Sequence, residues 1–415
     1  MTGEAWCHLL RRSRVYAFAL APHVHVVGRC SPHDKVSVVD TFVSLGYCCA
    51  AVGDGGNDCG MLKASHVGLA LSDSDASLVA AFTAVDKEIT SILTLLKEGR
   101  AALASTLATY KYVCLYGQIT SYNQLIMYYF QASFSEWMWT LIDGFWTVSF
   151  TLTLPLSLPS TILSKNRPTS SILGYQTVSS VVGIMGIHFI FITIAFATLF
   201  NEAWYQCRKW DVNSISTANI LQTSDNYEIT VIFIITGFQC LCSAITMNFG
   251  YEFRRNWLRN WVFVTLIVVF VFIHFWITLV PGHLSCLWRI NCDNENVVRS
   301  VTSSELIPIF NPYNTTVMPV SFRWKLIFIM IGNGLSVVFY DYFIVNGIRR
   351  WRAGKEETET TTKLPADAFE DQEVEEVKEQ ALGGNSDENG PAMPVLTRGT
   401  TEDGMSSEGG STMSA

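Results

Sequence analysis

Asp54 and Asp58 stand four residues apart in GDGGNDCGMLKASHVGLAL (residues 53–71), on a turn rich in glycine. Two carboxylates held this close repel, and one would ordinarily take up a proton. A divalent cation removes that penalty. Mg²⁺ prefers oxygen ligands and binds through one or two carboxylates together with a substrate phosphate. Gly55 and Gly56 take away the Cβ atoms that would block an unusual turn or a close ligand. Asp58 opens a helical pattern, and a helix N-terminus favours a phosphate beside it. The turn therefore reads as a Mg²⁺–phosphate site with Asp54 and Asp58 as metal ligands. Taken alone, a GDG turn is better read as a plain loop.

The surrounding elements must hold that turn in place. HVHVV (23–27) reads as a strand, and PHDKVSVVDTFVSLG (32–46) as a helix with Pro32 near its start and Gly46 past its end. YCCAAV (47–52) and HVGLAL (66–71) read as buried strands. Strand, helix, strand, turn, helix, strand predicts a parallel α/β sheet, with the site at the carboxyl ends of its strands. A generic α/β fragment without a site is the alternative.

Composition places this unit at the edge of something larger. The 415 residues are 49% hydrophobic, 13% aromatic and only 15% charged, which is too apolar for an ordinary soluble protein. Six apolar stretches, near 107–130, 137–156, 178–200, 229–249, 261–281 and 323–345, are each long enough to cross a hydrocarbon core of about 30 Å as a helix. Basic residues orient them. Lys97 and Arg100, Lys165 and Arg167, Arg254, Arg255 and Arg259, and Arg349, Arg350, Arg352 and Lys355 fall on one side, so both ends of the chain are expected on the cytoplasmic face. The loops at 201–228 and 282–322 then face the lumen or the outside. There Asn314 sits in a glycosylation sequon, and Cys286 and Cys292 either bridge or remain two thiols.

The net charge of −8 belongs to the tail: residues 355–415 hold 15 acidic and 4 basic residues, leaving the remainder near +3. That balance points to no nucleic-acid partner. The eleven cysteines form no CxxC pair or zinc-spaced cluster. Arg11, Arg12 and Arg14 precede an apolar run too short for a secretory signal. The expected organisation is residues 1–100 as the α/β unit, 101–348 as a membrane domain of six spans, and 349–415 as a disordered acidic tail.

GDGGNDCGMLKASHVGLALS strongly resembles the hinge segment of the P-type ATPases, whose phosphorylation domain has a haloacid-dehalogenase-like fold. Their GDGxND motif stands here as Gly53-Asp54-Gly55-Gly56-Asn57-Asp58. MTGE (1–4) resembles the family's TGD motif, with Glu4 in place of the usual Asp. RCSPHDK (29–35) resembles its P-x-x-K segment, and EGRAA (98–102) the junction into the next membrane helix. Cys59 after the Asn-Asp pair points to the type-five subgroup, and the chain looks more like its polyamine- and cation-transporting members than its helix-dislocating ones. The resemblance implies catalytic roles for Thr2, Lys35, Asn57 and Asp58. Thr2 would hydrogen-bond the phosphoryl group, and Lys35 would steady the phosphorylated aspartate. Thr2, Gly3 and Lys35 would serve the cofactor side, with ATP and Mg²⁺ as cofactors. On spacing alone, Lys35 reads as a helix-surface lysine and Thr2 as a disordered terminal residue.

The family's phosphorylated aspartate lies in a DKTGT motif, and this sequence contains none. Its nucleotide-binding domain, its actuator domain and its first membrane helices are also without counterparts. The expectation is therefore a C-terminal portion of such a pump: a partial phosphorylation domain, six spans and the tail, with an incomplete ATP site and no ATP hydrolysis by this chain alone. Within the membrane, Tyr116, Thr120 and Asn123 share one helical face of the first span, and Asp143 lies near the middle of the second. A carboxylate there costs roughly 2.5–3.5 kcal/mol unless it is paired, hydrated or occupied. Asp143 resembles an aspartate that binds cations in several P-type pumps, and tyrosines nearby suit an organic amine. The alternative for these residues is interhelical packing. His188 and His274 read as packing or interface residues. The functional expectation is ATP-driven movement of a cation or polyamine across an endomembrane, in a late endocytic or related compartment. Membrane lipid is the other expected partner, and no oligomeric state is implied. A non-catalytic isoform that regulates or competes with the full pump is the alternative.

Overall fold

The short hydrophobic run Ala50–Gly53 (β1) pairs with Val67–Ala70 (β2) in a three-stranded sheet of order β1-β2-β3, with Phe82–Thr83 as β3. All pairings are parallel, with Ala50 opposite Val67 and Gly53 opposite Ala70. This computed structural model describes residues 1–71, 75–130, 132–205, 226–288, 290–291, 317–348 and 350–351, all within one compact unit, Met1–Glu359. Cys286 is disulfide-bonded. Cys292, Asn314 and the expected tail beyond Trp351 lie outside the described residues.

The chain opens with α1 (Gly3–Arg12) and α2 (Arg14–Leu20). The helix expected at 32–46 is α3 (Pro32–Ser44). It starts in a full capping box, in which Ser31 accepts from the Asp34 amide at 3.2 Å and Asp34 accepts from the Ser31 amide at 2.9 Å. It ends at Gly46 with φ +83°, where a Cβ would be strained. α1 lies against α3, so closely that a Cβ on Gly3 would stand 2.8 Å from an Asp34 carboxylate oxygen. Parallel strands need a crossover. Between β1 and β2 it is the turn at Gly56–Asp58 followed by α4 (Cys59–Ala64), and between β2 and β3 it contains the short α5 (Asp75–Val79).

The strand expected at 23–27 does not form. Ala21–His23 is a single 3₁₀ turn, and the backbone beyond it makes only an isolated bridge between Gly28 and Thr2. A strand needs a ladder. This stretch meets only Met1 and Gly3, and α1 begins at Gly3 and turns the partner away. Arg29, at φ +54°, then breaks the extended run.

Two of the six stretches expected to span are helical but depart from a simple single span. One lies inside α6, a 39-residue helix from Ser91 to Tyr129. The other is segmented into α7 (Glu136–Trp139), a π-helical stretch Thr140–Thr147 and α8 (Val148–Thr153). Four helices among the described residues are long and apolar enough to cross a membrane: α9 (Tyr175–Phe200), α10 (Tyr227–Met247), α11 (Trp261–Leu279) and a last one, Val320–Ile348.

α10 is the centre of this half: 89% of its apolar window is buried, against 28–33% for the other three. A hydrocarbon surrounding offers buried polar groups no water, so they must find each other. Tyr122 donates to Gln239 at 2.7 Å, and Gln239 donates to the His188 carbonyl at 2.8 Å. His188 meets Ser243 at 2.9 Å and Asn333 at 3.0 Å, while His274 meets the Ile234 carbonyl at 2.7 Å. Both histidines are thus engaged between helices. Close approach is fixed by Gly237, where a Cβ would stand 2.2 Å from the Trp146 ring.

Candidate functional site

β1 ends at Gly53, and the chain turns back so tightly that a Cβ there would lie 2.4 Å from the Asp58 Cβ. The position that must be glycine is therefore Gly53. Gly55, expected to be the permissive one, has nothing within 4 Å of a built Cβ. The reversal sets Asp58, only 7% exposed, under the start of α4. Its Oδ2 accepts from the Asp54 amide at 3.4 Å, and its Oδ1 takes the Lys35 ammonium at 2.6 Å. Lys35 comes from the first turn of α3, so the capping box at Ser31 aims it at the turn.

Lys35, Asp54 and Asp58 share a cleft of about 1060 Å³ at the carboxyl end of β1. Arg29, Lys87 and His25 line it as well. Sequence reasoning missed these three. Arg29 opens the RCSPHDK segment, but Lys87 reaches the cleft only through the fold, past β3. Three strong cations around two carboxylates suit a metal-bound phosphate group better than a bare cation. The donor set fits Mg²⁺: both carboxylates line the cleft, and Asp58 offers Oδ2 where Lys35 holds Oδ1. When bound, the ion would neutralise charge on a phosphoryl oxygen, and Lys35 would hold Asp58 in position for it.

The other expected residues of this unit lie elsewhere. Asn57 is exposed on the turn. The Thr2 hydroxyl accepts from the Ala5 amide at 3.2 Å as the N-cap of α1, and the Gly3 amide donates to the Gly28 carbonyl at 3.0 Å. Neither lines the cleft. A second donor cluster, unsignalled by spacing, joins Cys7, His33 and Asp34, whose ligand atoms lie within 4.8 Å of one another. Burial first, and then the hydrogen bond to Asp34, pushes the Cys7 thiol up, while that same bond holds Asp34 below the usual carboxylate range.

Far along α6, the Tyr116 hydroxyl donates to Asp143, which sits in the π-helical stretch Thr140–Thr147. Wide π turns of this kind recur at functional sites. Thr120 directs its hydroxyl to the carbonyls of Tyr116 and Gly117, at 3.0 and 3.1 Å. Asn123 is buried and donates to Thr236 on α10 at 2.5 Å, with its own amide oxygen unpaired. The structure thus brings Tyr116 to Asp143 and sends Asn123 to a different helix.

No family model matches the chain. Individual proteins do. It is 28% identical over 291 residues to human polyamine-transporting ATPase 13A3, covering 66% of this chain and 24% of that protein. It is 30% identical over 275 residues to human polyamine-transporting ATPase 13A2, covering 64% and 22%. The vacuolar cation-transporting ATPase YPK9 of Saccharomyces cerevisiae is 28% identical over 244 residues, covering 59% and 16%. The chain is a relative of the type-five P-type transport ATPases. It spans about a quarter of the length of the first of these relatives. For a type-five relative, α6 is the informative element, since it runs unbroken from the α/β unit to the tyrosine that holds Asp143. Ser91 and Tyr116 are separated along it by about 38 Å at the standard helical rise.

The Gly53 geometry gives a direct test. Gly53→Ala should destabilise the turn by about 1–3 kcal/mol through overpacking against Asp58 and abolish Mg²⁺ binding measured by calorimetry. Gly55→Ala, with open space around it, should bind Mg²⁺ like the unaltered protein.

Proposed function

We propose that this chain forms the metal-phosphate pole and the membrane path of an ATP-driven pump for cations of the polyamine class. The observation that carries the reading is Asp143, a carboxylate inside the helical bundle, paired to Tyr116 on the helix that starts at the α/β unit. A protonated amine would replace the tyrosine hydroxyl as the partner of Asp143 and lie along the aromatic ring. The names of the relatives, polyamine- and cation-transporting ATPases, support the same class of cargo.

In this reading the α/β unit is the haloacid-dehalogenase-like part of a phosphorylation domain. Asp54 and Asp58 hold Mg²⁺ and Lys35 offsets charge on an aspartyl phosphate, while for Asn57, Thr2 and Gly3, which stand outside the cleft, a phosphoryl or nucleotide-side role rests on the motif resemblance alone. Thr120 and Asn123 flank the cargo path. Residues 107–130 and 137–156 join the four apolar helices to make six spans, with both the α/β unit and the residues after Val345 on the cytoplasmic side of an endomembrane, vacuolar or late endocytic. The covalent acceptor and the rest of the ATP site would be supplied by a DKTGT-bearing domain, which this sequence lacks.

Three measurements test the reading. Asp143→Asn keeps the shape and removes the charge, and should weaken spermine binding to the purified chain about tenfold or more; equal affinity in a well-folded variant rejects the cargo role. Incubation with radiolabelled ATP should give no acid-stable phosphoenzyme from the chain alone. Phosphoenzyme formation would show an acceptor within it and refute the inactive reading. Protease treatment of sealed, cytoplasmic-side-out vesicles should cut after Trp351 and spare the 282–322 loop, and cleavage of both would exclude six spans.

A further inference from the structure

Arg254 is 4% exposed, yet no carboxylate among the described residues lies within ion-pair distance of it. Two of its nitrogens are used at the end of α10: one donates to the Asn248 side-chain oxygen at 3.0 Å, the other to the Met247 carbonyl at 2.9 Å. Its Nε has no hydrogen-bond partner, nor has the buried Asn248 side-chain nitrogen beside it. A buried cation needs a counter-charge, and a buried donor needs an acceptor. Burial depresses the Arg254 pKa to about 10, a sign that its charge is poorly compensated.

The backbone is shaped to keep Arg254 there. Gly250 (φ +70°) and Tyr251 (φ +47°) fold the chain back, and a Cβ on Gly250 would stand 2.9 Å from the Arg254 Cβ. The neighbouring loop locks the fold: the Arg255 amide donates to the Leu158 carbonyl at 2.9 Å, and the Ser160 amide to the Phe253 carbonyl at 3.0 Å. Together these contacts hold a guanidinium against a cavity of about 110 Å³.

The cavity is lined by two more cations, Lys111 and Arg167, and by one carboxylate, Asp341, which accepts from Tyr251 and from Ser180. The balance favours an anion. Its walls come from α6, from the start of α9 and the loop before it, from the end of α10, and from the end of the last helix. That is one common end of the bundle, where the phosphate groups of a bilayer would lie.

We propose that this cavity is a phosphate-group site, in which Arg254, Lys111 and Arg167 receive a phosphomonoester oxygen set and Arg254 Nε gains its missing acceptor. Guanidinium groups match phosphate with forked, charge-assisted bonds. The volume admits a phosphate group and excludes a nucleoside, so the donor is a membrane lipid headgroup or free phosphate. Binding here would tie α6 to the 157–174 and 248–260 loops. α6 already grips the first of these through Lys97 on the Thr161 carbonyl at 2.7 Å and through Arg100 on the carbonyls of Ser164 and Asn166. The site does not depend on the pump reading.

The test uses the full chain in phosphatidylcholine nanodiscs, titrated separately with a soluble short-chain phosphatidylinositol phosphate and with inorganic phosphate, and followed by calorimetry and thermal melting. Binding of the lipid probe with little response to inorganic phosphate assigns the site to a headgroup. Binding of both assigns it to phosphate as such. Arg254→Gln should weaken that binding about tenfold or more. Should Arg254→Gln fold poorly, Arg167→Gln, an exposed position, should still weaken it by about threefold while leaving the unliganded melting temperature unchanged. Absence of binding by either compound, or binding unchanged in both variants, overturns the proposal.

Discussion

α10 carries Thr230, Thr236, Gln239, Ser243 and Thr246 with none of them exposed; Thr230 and Thr246 turn their hydroxyls to the Asn226 and Cys242 carbonyls, so for Thr236, Gln239 and Ser243 the helices around it must bring partners or leave polar atoms stranded in an apolar bundle. They bring Tyr122 and Asn123 from α6, His188 from α9, and, through His188, Asn333 from the last helix. Lipid tails are as apolar as leucine, so burial of leucine cannot order these helices. The order comes from matching polar groups across α10 and from small residues such as Gly237 and Gly183, where ring systems from Trp146 and Tyr340 occupy the space a Cβ would need.

That arrangement leaves Asp143 and Asp341 outside the α10 network, and both lie in π-helical turns: Asp143 in Thr140–Thr147 and Asp341 in Tyr340–Val345. Each is met by a tyrosine hydroxyl, from Tyr116 and Tyr251 respectively. A hydroxyl is a weak partner for a carboxylate in an apolar bundle, half-buried as at Asp143 or buried as at Asp341, because it offers a dipole where a charge is wanted. Asp143 is therefore a place where a cation is energetically welcome, whereas Asp341 lines a cavity already lined by Arg254, Lys111 and Arg167. α6 reaches Asp143 through Tyr116, and its Lys111 lines the cavity that Asp341 also lines.

Much of the α/β unit was legible in the residues, for reasons that can be named. α3 was readable because Ser31, Pro32 and Gly46 punctuate it, and β1 and β2 because short apolar runs flank a glycine turn. The Lys35–Asp58 contact was not readable, since spacing of 23 residues carries no local signal and the resemblance implied only that both residues serve one site. The HVHVV run failed as a strand because β-propensity is a statement about a paired, half-buried surface, and no ladder partner persists beside it. Gly53 was passed over in favour of Gly55 and Gly56 because the demand for a missing Cβ arises from Asp58 folding back, which is a tertiary fact. The Arg29 and Lys87 contributions to the cleft, and the meeting of Cys7, His33 and Asp34, are likewise products of topology.

Two buried arginines show the same distinction between structural and available charge. Arg323, 6% exposed at the other end of the bundle, directs Nε to the Met318 carbonyl at 2.7 Å and a terminal nitrogen to the Leu279 carbonyl at 2.6 Å. Its Nε is satisfied, and it ties the C-terminus of α11 to the start of the last helix in a capping role. Arg254 caps α10 in the same way with two nitrogens, but its Nε remains without an acceptor while it lines a polar cavity with two other cations. Capping α10 alone would be served as well by an arginine satisfied like Arg323. The residual donor at Arg254, and the strained Gly250–Tyr251 turn that keeps it there, are costs that a purely structural arginine has no reason to carry.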